Sequence, residues 1–278
     1  MKLINYVKRK IKKKKTKNLN NKILGTYPKL NNSKIIFNGN NNIIFCEDNV
    51  ILKDSVLEFN GDNSIIYLSS NKFDYILNVA INNNSVFYIG KDNYINKELK
   101  IIISEEKNIF IGNDGIFSLG IWFRTADPHL IYDIKTNNRI NESKSIYLGD
   151  HIWLGQNSLI LKGTQIDSGS IIGANSVVSN KIIANNEIWA GNPVKIIKDK
   201  IFWDGKCVHK WTKKDTEKSM NYDRIKNDKP IDIYTYKYDS KHYLSYDEIE
   251  NNLNNMTIDE KLNYLKNIPQ NKNRFVRK

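Results

Sequence analysis

Residues 148–195 read, in groups of six, LGDHIW LGQNSL ILKGTQ IDSGSI IGANSV VSNKII ANNEIW AGNPVK. The first place of each group holds Leu148, Leu154, Ile160, Ile166, Ile172, Val178, Ala184 and Ala190, an aliphatic or small residue every time. The fifth place holds Ile152, Ser158, Thr164, Ser170, Ser176, Ile182, Ile188 and Val194, mostly small or β-branched. An α-helix repeats its apolar face at about 3.6 residues and a strand at about 2, so a strict period of six fits neither. It fits a solenoid in which each six is a short strand plus a corner, with one large side chain per strand pointing into a narrow prism. Gly149, Gly155 and Gly173 directly follow the inward residue, where a tight bend favours a residue without Cβ.

The same period extends outward through Ile111-Gly112, Phe117 and Phe123, with Ile89-Gly90 and Ile95 as weaker echoes. Further upstream, Asn-rich segments such as 38–42 separate the runs Ile35-Ile36, Ile43-Ile44-Phe45 and Ile65-Ile66-Tyr67, which reads as irregular early coils with strands between turns. A polar stretch, 124–146, interrupts the repeat and is expected to be a loop expelled from the coil. After Pro193 the pattern turns helical. Ser245-Tyr-Asp-Glu248 and Thr257-Ile-Asp-Glu260 are capping-box sequences, and Ile258, Leu262 and Leu265 follow at helical spacing. The reading is thus mainly β: a basic segment 1–30, a coil over 31–199 and a mostly helical appendage over 200–278.

The chain has 278 residues, 40% hydrophobic and 26% charged, the composition of a globular protein. Its net charge of +13 suggests nucleic acid until it is located. Ten Lys/Arg and no acid lie within residues 1–22, leaving only +3 for everything else, so a basic domain face is not indicated. In that tail Leu3, Ile4, Val7 and Ile11 fall roughly on one helical face among lysines. This fits a peripheral helix on anionic lipid as well as it fits a solvated charge run. No aromatic platform accompanies the lysines, which disfavours single-stranded nucleic acid. The start MKLINYVKRK lacks the apolar core of a secretory signal, and no apolar run is long enough to span a bilayer. A cytoplasmic protein is expected, either free or peripheral at the inner membrane surface. Cys46 and Cys207 are too few for a disulfide framework or a Cys-rich metal site and are expected simply to pack.

The stretches Leu148-Gly-Asp-His-Ile-Trp-Leu-Gly155, Ile160-Leu-Lys-Gly163, Ile172-Gly-Ala-Asn-Ser176 and Ala190-Gly-Asn-Pro-Val-Lys195 closely resemble the hexapeptide-repeat acyltransferases. Over roughly residues 109–200 the chain looks most like the members that O-acetylate sugars, including capsule and sialic-acid modifying enzymes. The resemblance implies a left-handed parallel β-helix, a hand that the period alone does not give, since parallel crossovers are otherwise nearly always right-handed. It also implies a homotrimer with sites between subunits, a catalytic His on the expelled loop, and acetyl-coenzyme A along the coil edge. By motif, Gln156, Ala174 and Ser179 line the pantetheine path, and Lys195 and Lys198 face coenzyme A phosphates. The chain departs from the family at Ser179-Asn180-Lys181, where Thr-Lys-Asp is usual, and at Ile183-Ala184, where Pro-Pro is common.

The loop carries Asp127-Pro-His129, and Trp153 follows His129 at a separation like that in galactoside acetyltransferases. A sugar hydroxyl is a poor nucleophile near neutral pH, so attack on a thioester needs a base. Histidine, whose unperturbed side chain titrates at about 6.5, suits that task. His129 is the expected base, with Asp127 or a backbone carbonyl orienting its imidazole and Trp153 a stacking platform for acceptor or thioester arm. His151, in the repeat beside Trp153, is the rival base but reads rather as an outward-facing residue at a coil corner, and His209 and His242 read as surface residues. A zinc-dependent carbonic anhydrase needs three His ligands, and the coil region offers only His129 and His151, so no metal is expected. The leading function is O-acetylation of a cell-surface glycan (capsule, lipooligosaccharide or sialic acid) or its precursor. The alternatives are N-acetylation of a nucleotide-linked amino sugar and a non-catalytic trimeric scaffold.

Overall fold

The computed structural model describes residues 20–222 and 230–278. Most of the basic segment, residues 1–19, lies outside them. The chain winds as a mainly-β, left-handed parallel β-helix with three faces. The first face is an eight-stranded sheet running from Lys22–Gly25 to Ile182–Ile183. The second begins as the pair Lys29–Asn31 and Ile51–Lys53 and continues as a six-stranded sheet from Tyr94–Ile95 to Lys195–Lys198. The third has seven strands, from Lys34–Phe37 to Val177–Val178. The coil therefore starts at Lys22 rather than at residue 31. Lys22–Gly25 pairs with Ile43–Cys46 in register, which the blurred early period had hidden.

That blur has a physical cause. Equivalent corner residues of the early coils are 22 apart, as in Asn41 with Asn63 and Asn42 with Ser64. Later ones are 18 or 17 apart, as in Asp150 with Ser168 and Ser170 with Glu187. Longer strands in the early coils break the six-residue count while leaving the three faces intact. In the late coils Leu154, Ile160, Ile166 and Ile172 are all fully buried, as the period requires. The 17-residue coil then moves the register by one. Ile183, not Ala184, pairs with Ile166 in the core, Trp189 rather than Ala190 packs against it, and Ile182 is left 60% exposed.

The corners correct the glycine argument. Gly155 and Gly173 do not adopt positive φ. They stand where a Cβ would meet the next coil, 2.5 Å from the Ala174 nitrogen and 2.8 Å from the Ala190 Cβ respectively. Left-handed backbone at non-glycine positions falls mostly on Asn and Asp, residues that tolerate it, including Asp114, Asn157 and Asn175. Small hydroxyl residues line the inside of other bends: Ser158 donates to the Gly155 carbonyl at 2.7 Å and Ser170 to that of Ala184 at 2.7 Å. These two buried hydroxyls are thereby satisfied.

Among the described residues the appendage has three short α-helices, α1 (Lys213–Ser219), α2 (Tyr246–Asn255) and α3 (Ile258–Lys266), and a 3-10 turn at Ile231–Ile233, joined by irregular stretches. Thr257 and Glu260 close the anticipated capping box, while the Ser245 hydroxyl caps the Asp247 amide. Helices α2 and α3 cover the outside of the first face, burying Ile249, Leu253, Leu262 and Leu265 against Ile43, Ile65, Val86 and an aromatic column, Tyr67, Tyr88, Phe110 and Tyr147. Two ion pairs fasten the C-terminus to the coil. Arg274, fully buried, grips both Asp150 oxygens at 2.7 and 3.0 Å, and Arg277 holds Asp167 at 2.9 Å. Burial pushes the Asp167 carboxyl above its usual range while Arg277 pulls it back. Cys46 packs in the core, its thiol pushed up to about 12 by burial, whereas Cys207 is exposed. Among the described residues no helix is long and apolar enough to cross a membrane.

Candidate active site

The expelled loop leaves after Trp122–Arg124 on the third face and returns at Ile146–Leu148 on the first. It is pinned to the edge between those faces. Arg139 makes a two-pronged pair with Glu105 at 2.8 and 2.9 Å, and Ser143 donates to the same carboxylate. These donors hold the Glu105 carboxyl at about 2, well below its usual range. On the coil side Lys162 reaches Asp127 Oδ2 at 2.6 Å and the Asn141 carbonyl at 3.0 Å. The hydrogen bond from Lys162 lowers the Asp127 carboxyl, helped by Asn141.

His129 stands exposed on this loop, its carbonyl accepting from Asn141 Nδ2 at 2.7 Å. Its imidazole makes no hydrogen bond among the described residues, and Asp127, expected to orient it, is engaged by Lys162 and Asn141 instead. A lysine held against an otherwise exposed carboxylate makes a charge-assisted bond that claims the acceptor oxygen. Trp153 lies on the second face, 41% exposed, paired with Ile116 and Ile171. That face is opposite the loop's edge, so a single chain does not bring His129 and Trp153 together.

The presumed coenzyme residues separate in the same way. Gln156 and Ala174 are exposed on successive coils at the edge between the second and third faces. Ser179 is exposed on the loop's own edge, beside Asn180, which Lys144 contacts. Lys195 and Lys198 extend beyond the last coil, in a strand antiparallel to Ile188–Ala190.

His151 is the largest departure. Instead of facing solvent it is 3% exposed, beneath the arm that follows the coil. Its Nδ1 lies 2.9 Å from Asp114 Oδ2 and its Nε2 3.1 Å from the Trp203 carbonyl oxygen. Trp203 stacks on it and touches Trp153, with ring centroids 5.9 Å apart. Nothing in the residue pattern signalled this, because Trp203 lies in a stretch without periodicity. Asn141 and Lys162 were missed too, Asn141 for want of a motif and Lys162 because the Ile160-Leu-Lys-Gly163 stretch does not show that its amine reaches the loop. His209 and His242 are exposed. Among the described residues no cluster of His, Cys, Asp and Glu is placed to hold a metal.

A three-sided hexapeptide coil with an expelled, His-bearing loop is the arrangement of the hexapeptide-repeat, left-handed β-helix acyltransferases, and the chain shares that fold. Within that class it is similar to the polysialic acid O-acetyltransferase of Neisseria meningitidis, with 51% identity over 110 residues, 40% of this chain. The chain spans about half the length of that curated relative, the match covering 51% of it. Two solved structures align over most of their length. The polySia-specific acetyltransferase NeuO has 29% identity and a TM-score of 0.60 over 72% of this chain and 94% of its own. The polysialic acid O-acetyltransferase OatWY has 25% identity and a TM-score of 0.51 over 73% and 99%. No family model matches the chain.

Proposed function

We propose that this protein transfers an acetyl group from acetyl-coenzyme A to a hydroxyl of an acidic cell-surface glycan of the polysialic acid type. The observation that carries this reading is the exposed His129 imidazole on a loop pinned through Asp127, Arg139, Asn141 and Ser143, and the polysialic acid O-acetyltransferases named above support the substrate class. His129 removes the proton of the sugar hydroxyl as its oxygen attacks the thioester carbonyl. The tetrahedral intermediate collapses with loss of the coenzyme A thiolate, and the imidazolium returns the proton to sulfur. Gln156, Ala174, Ser179, Lys195 and Lys198 contact acetyl-coenzyme A, and Trp153 stacks against acceptor or thioester arm.

The active unit is a homotrimer. Among the described residues α2 and α3 leave the second and third faces uncovered; both carry partly exposed apolar columns, Tyr94, Ile116, Trp153 and Ile171 on the second, which the Trp203 arm partly overlies, and Trp122, Leu159 and Val177 on the third. The loop tip adds Leu130, Ile131, Tyr132 and Ile134, the last 96% exposed. Such patches mark interfaces, and packing copies through them places one subunit's His129 against a neighbour's second or third face. The basic N-terminal segment draws the protein to anionic membrane. If deleting residues 1–19 leaves pelleting with anionic vesicles unchanged, that part is wrong.

The decisive assay is thiol release from acetyl-coenzyme A with polysialic acid, neutral glycans and nucleotide-linked amino sugars as acceptors. Acetyl esters on polysialic acid are expected. Transfer confined to an amino group of a nucleotide sugar, or none to any acceptor, overturns the reading.

A further inference from the structure

Asn141 is buried, 6% exposed, in a loop that is otherwise largely on the surface, and every polar group of its side chain is used. Nδ2 donates to the His129 carbonyl at 2.7 Å and to Asp127 Oδ2 at 3.1 Å. Oδ1 accepts from the Ile131 amide at 3.0 Å and from Arg139 Nε at 3.2 Å. Its own carbonyl accepts from Lys162 Nζ at 3.0 Å and Arg139 Nη2 at 3.3 Å. One amide thus clamps the turn that carries His129, through the Asp127 carboxylate, the His129 carbonyl and the Ile131 amide, and ties that turn through Lys162 to the rigid coil and through Arg139 to Glu105.

We propose that Asn141 is a positioning residue for the acetyl-transfer site, fixing where His129 presents its imidazole, and that Asp127 and Lys162 serve this clamp rather than the imidazole itself. Only an uncharged amide does this at 141, because the site asks for two donors and two acceptors at once. Asp keeps the acceptors and loses both donors, and it sets a second carboxylate against Asp127. Leu loses everything. Fixing a base is worth rate because proton transfer depends steeply on geometry, and a displacement of about 1 Å can cost about 10²-fold.

The inference rests on His129 being the base, and the test separates the two. Turnover number and KM for acetyl-coenzyme A are measured for Asn141→Ala, Asn141→Asp, His129→Ala and the double variant Asn141→Ala/His129→Ala, with thermal midpoints for each. Both Asn141 variants are expected to lose about 10²-fold in turnover with KM for acetyl-coenzyme A unchanged. Adding Asn141→Ala to His129→Ala should lower the rate no further, because a residue that acts only through the imidazole has nothing left to position. A merely structural role would instead stay additive and follow the thermal midpoint. If His129→Ala retains full turnover, the base itself is misassigned. If His129→Ala is inactive while either folded Asn141 variant keeps full turnover, or if the Asn141 loss persists undiminished without His129, the positioning role alone is overturned.

Discussion

The His151 imidazole lies flat against the Trp203 indole, ring centroids 3.7 Å apart and planes 9° from parallel. With Asp114 on one ring nitrogen and the Trp203 carbonyl on the other, the imidazole joins a coil corner to the arm that leads into the appendage. The backbone there is left-handed, φ 56°, in a column shared with Asp92 and Asp114. A histidine at such a position has to be held by its surroundings.

Replacing His151 by Ala therefore removes a stack and two hydrogen bonds from a buried site. A loss of stability of at least about 1 kcal/mol is expected, since aromatic pairs contribute about 0.5–1.5 kcal/mol beyond their burial. Thermal unfolding checks it. An unchanged midpoint would show that the arm is held elsewhere.

Arg274 has no solvent to fall back on, and removing it strands Asp150 in the same interior. Arg274→Ala should cost about 3–5 kcal/mol, the usual result of leaving one member of a buried pair alone. Asp150→Asn combined with Arg274→Leu should recover much of that loss. Denaturant titration of the three variants decides it, and a single variant as stable as the parent would mean that Asp150 finds another partner.

Gly155 and Asn175 test what the corners require. Gly155→Ala should destabilise by about 1–3 kcal/mol, because the added methyl meets the Ala174 nitrogen at 2.5 Å in the next coil, with no flexible side chain to yield. Asn175→Gly, at φ 55°, should be nearly neutral because glycine takes left-handed backbone without strain. Comparable losses in thermal midpoint for both would contradict the distinction between close approach and backbone hand.

Loop anchoring should depend on pH through Glu105. Its carboxyl sits at about 2, below the usual 4.5, so the ionised form favours the pinned loop. That contribution is complete above the usual value and fades as pH falls toward about 2. Hydrogen exchange of the Ile131 and Ile140 amides, corrected for intrinsic rate, should show protection weakening across that window. Glu105→Gln should flatten the dependence, and protection constant down to about pH 2 would rule out Glu105 as the anchor.

The period over 148–178 was legible because core aliphatics recur wherever a coil is 18 residues long, and the reading failed where Ser170 and Glu187 shortened it to 17. The early coils were hidden for the same reason, 22 residues being no multiple of six. Of the candidate site, the exposed place of His129 on the expelled loop was legible, since a polar break in the repeat is marked by local sequence. The burial of His151 and the clamp at Asn141 were not, because both depend on partners distant in the chain, 52 residues on for the Trp203 carbonyl and 21 on for Lys162. Asp127 was misread for want of that lysine.

His129→Ala should lower the turnover number by at least about two orders of magnitude, since a positioned base typically contributes about 10²–10⁴-fold. The imidazole is exposed and makes no hydrogen bond among the described residues, so its removal breaks no structural contact and the thermal midpoint should hold. KM for acetyl-coenzyme A should also hold, because the proposed coenzyme contacts, Gln156, Ala174, Lys195 and Lys198, lie on the coil and its trailing strand rather than on the loop. The loss then belongs to the chemical step. His151→Ala is the control, since it disturbs the arm and should spare turnover. Steady-state kinetics of the two variants with acetyl-coenzyme A and polysialic acid settle the matter: if His151→Ala abolishes transfer while His129→Ala keeps most of it, the base is His151 and the loop histidine is a bystander.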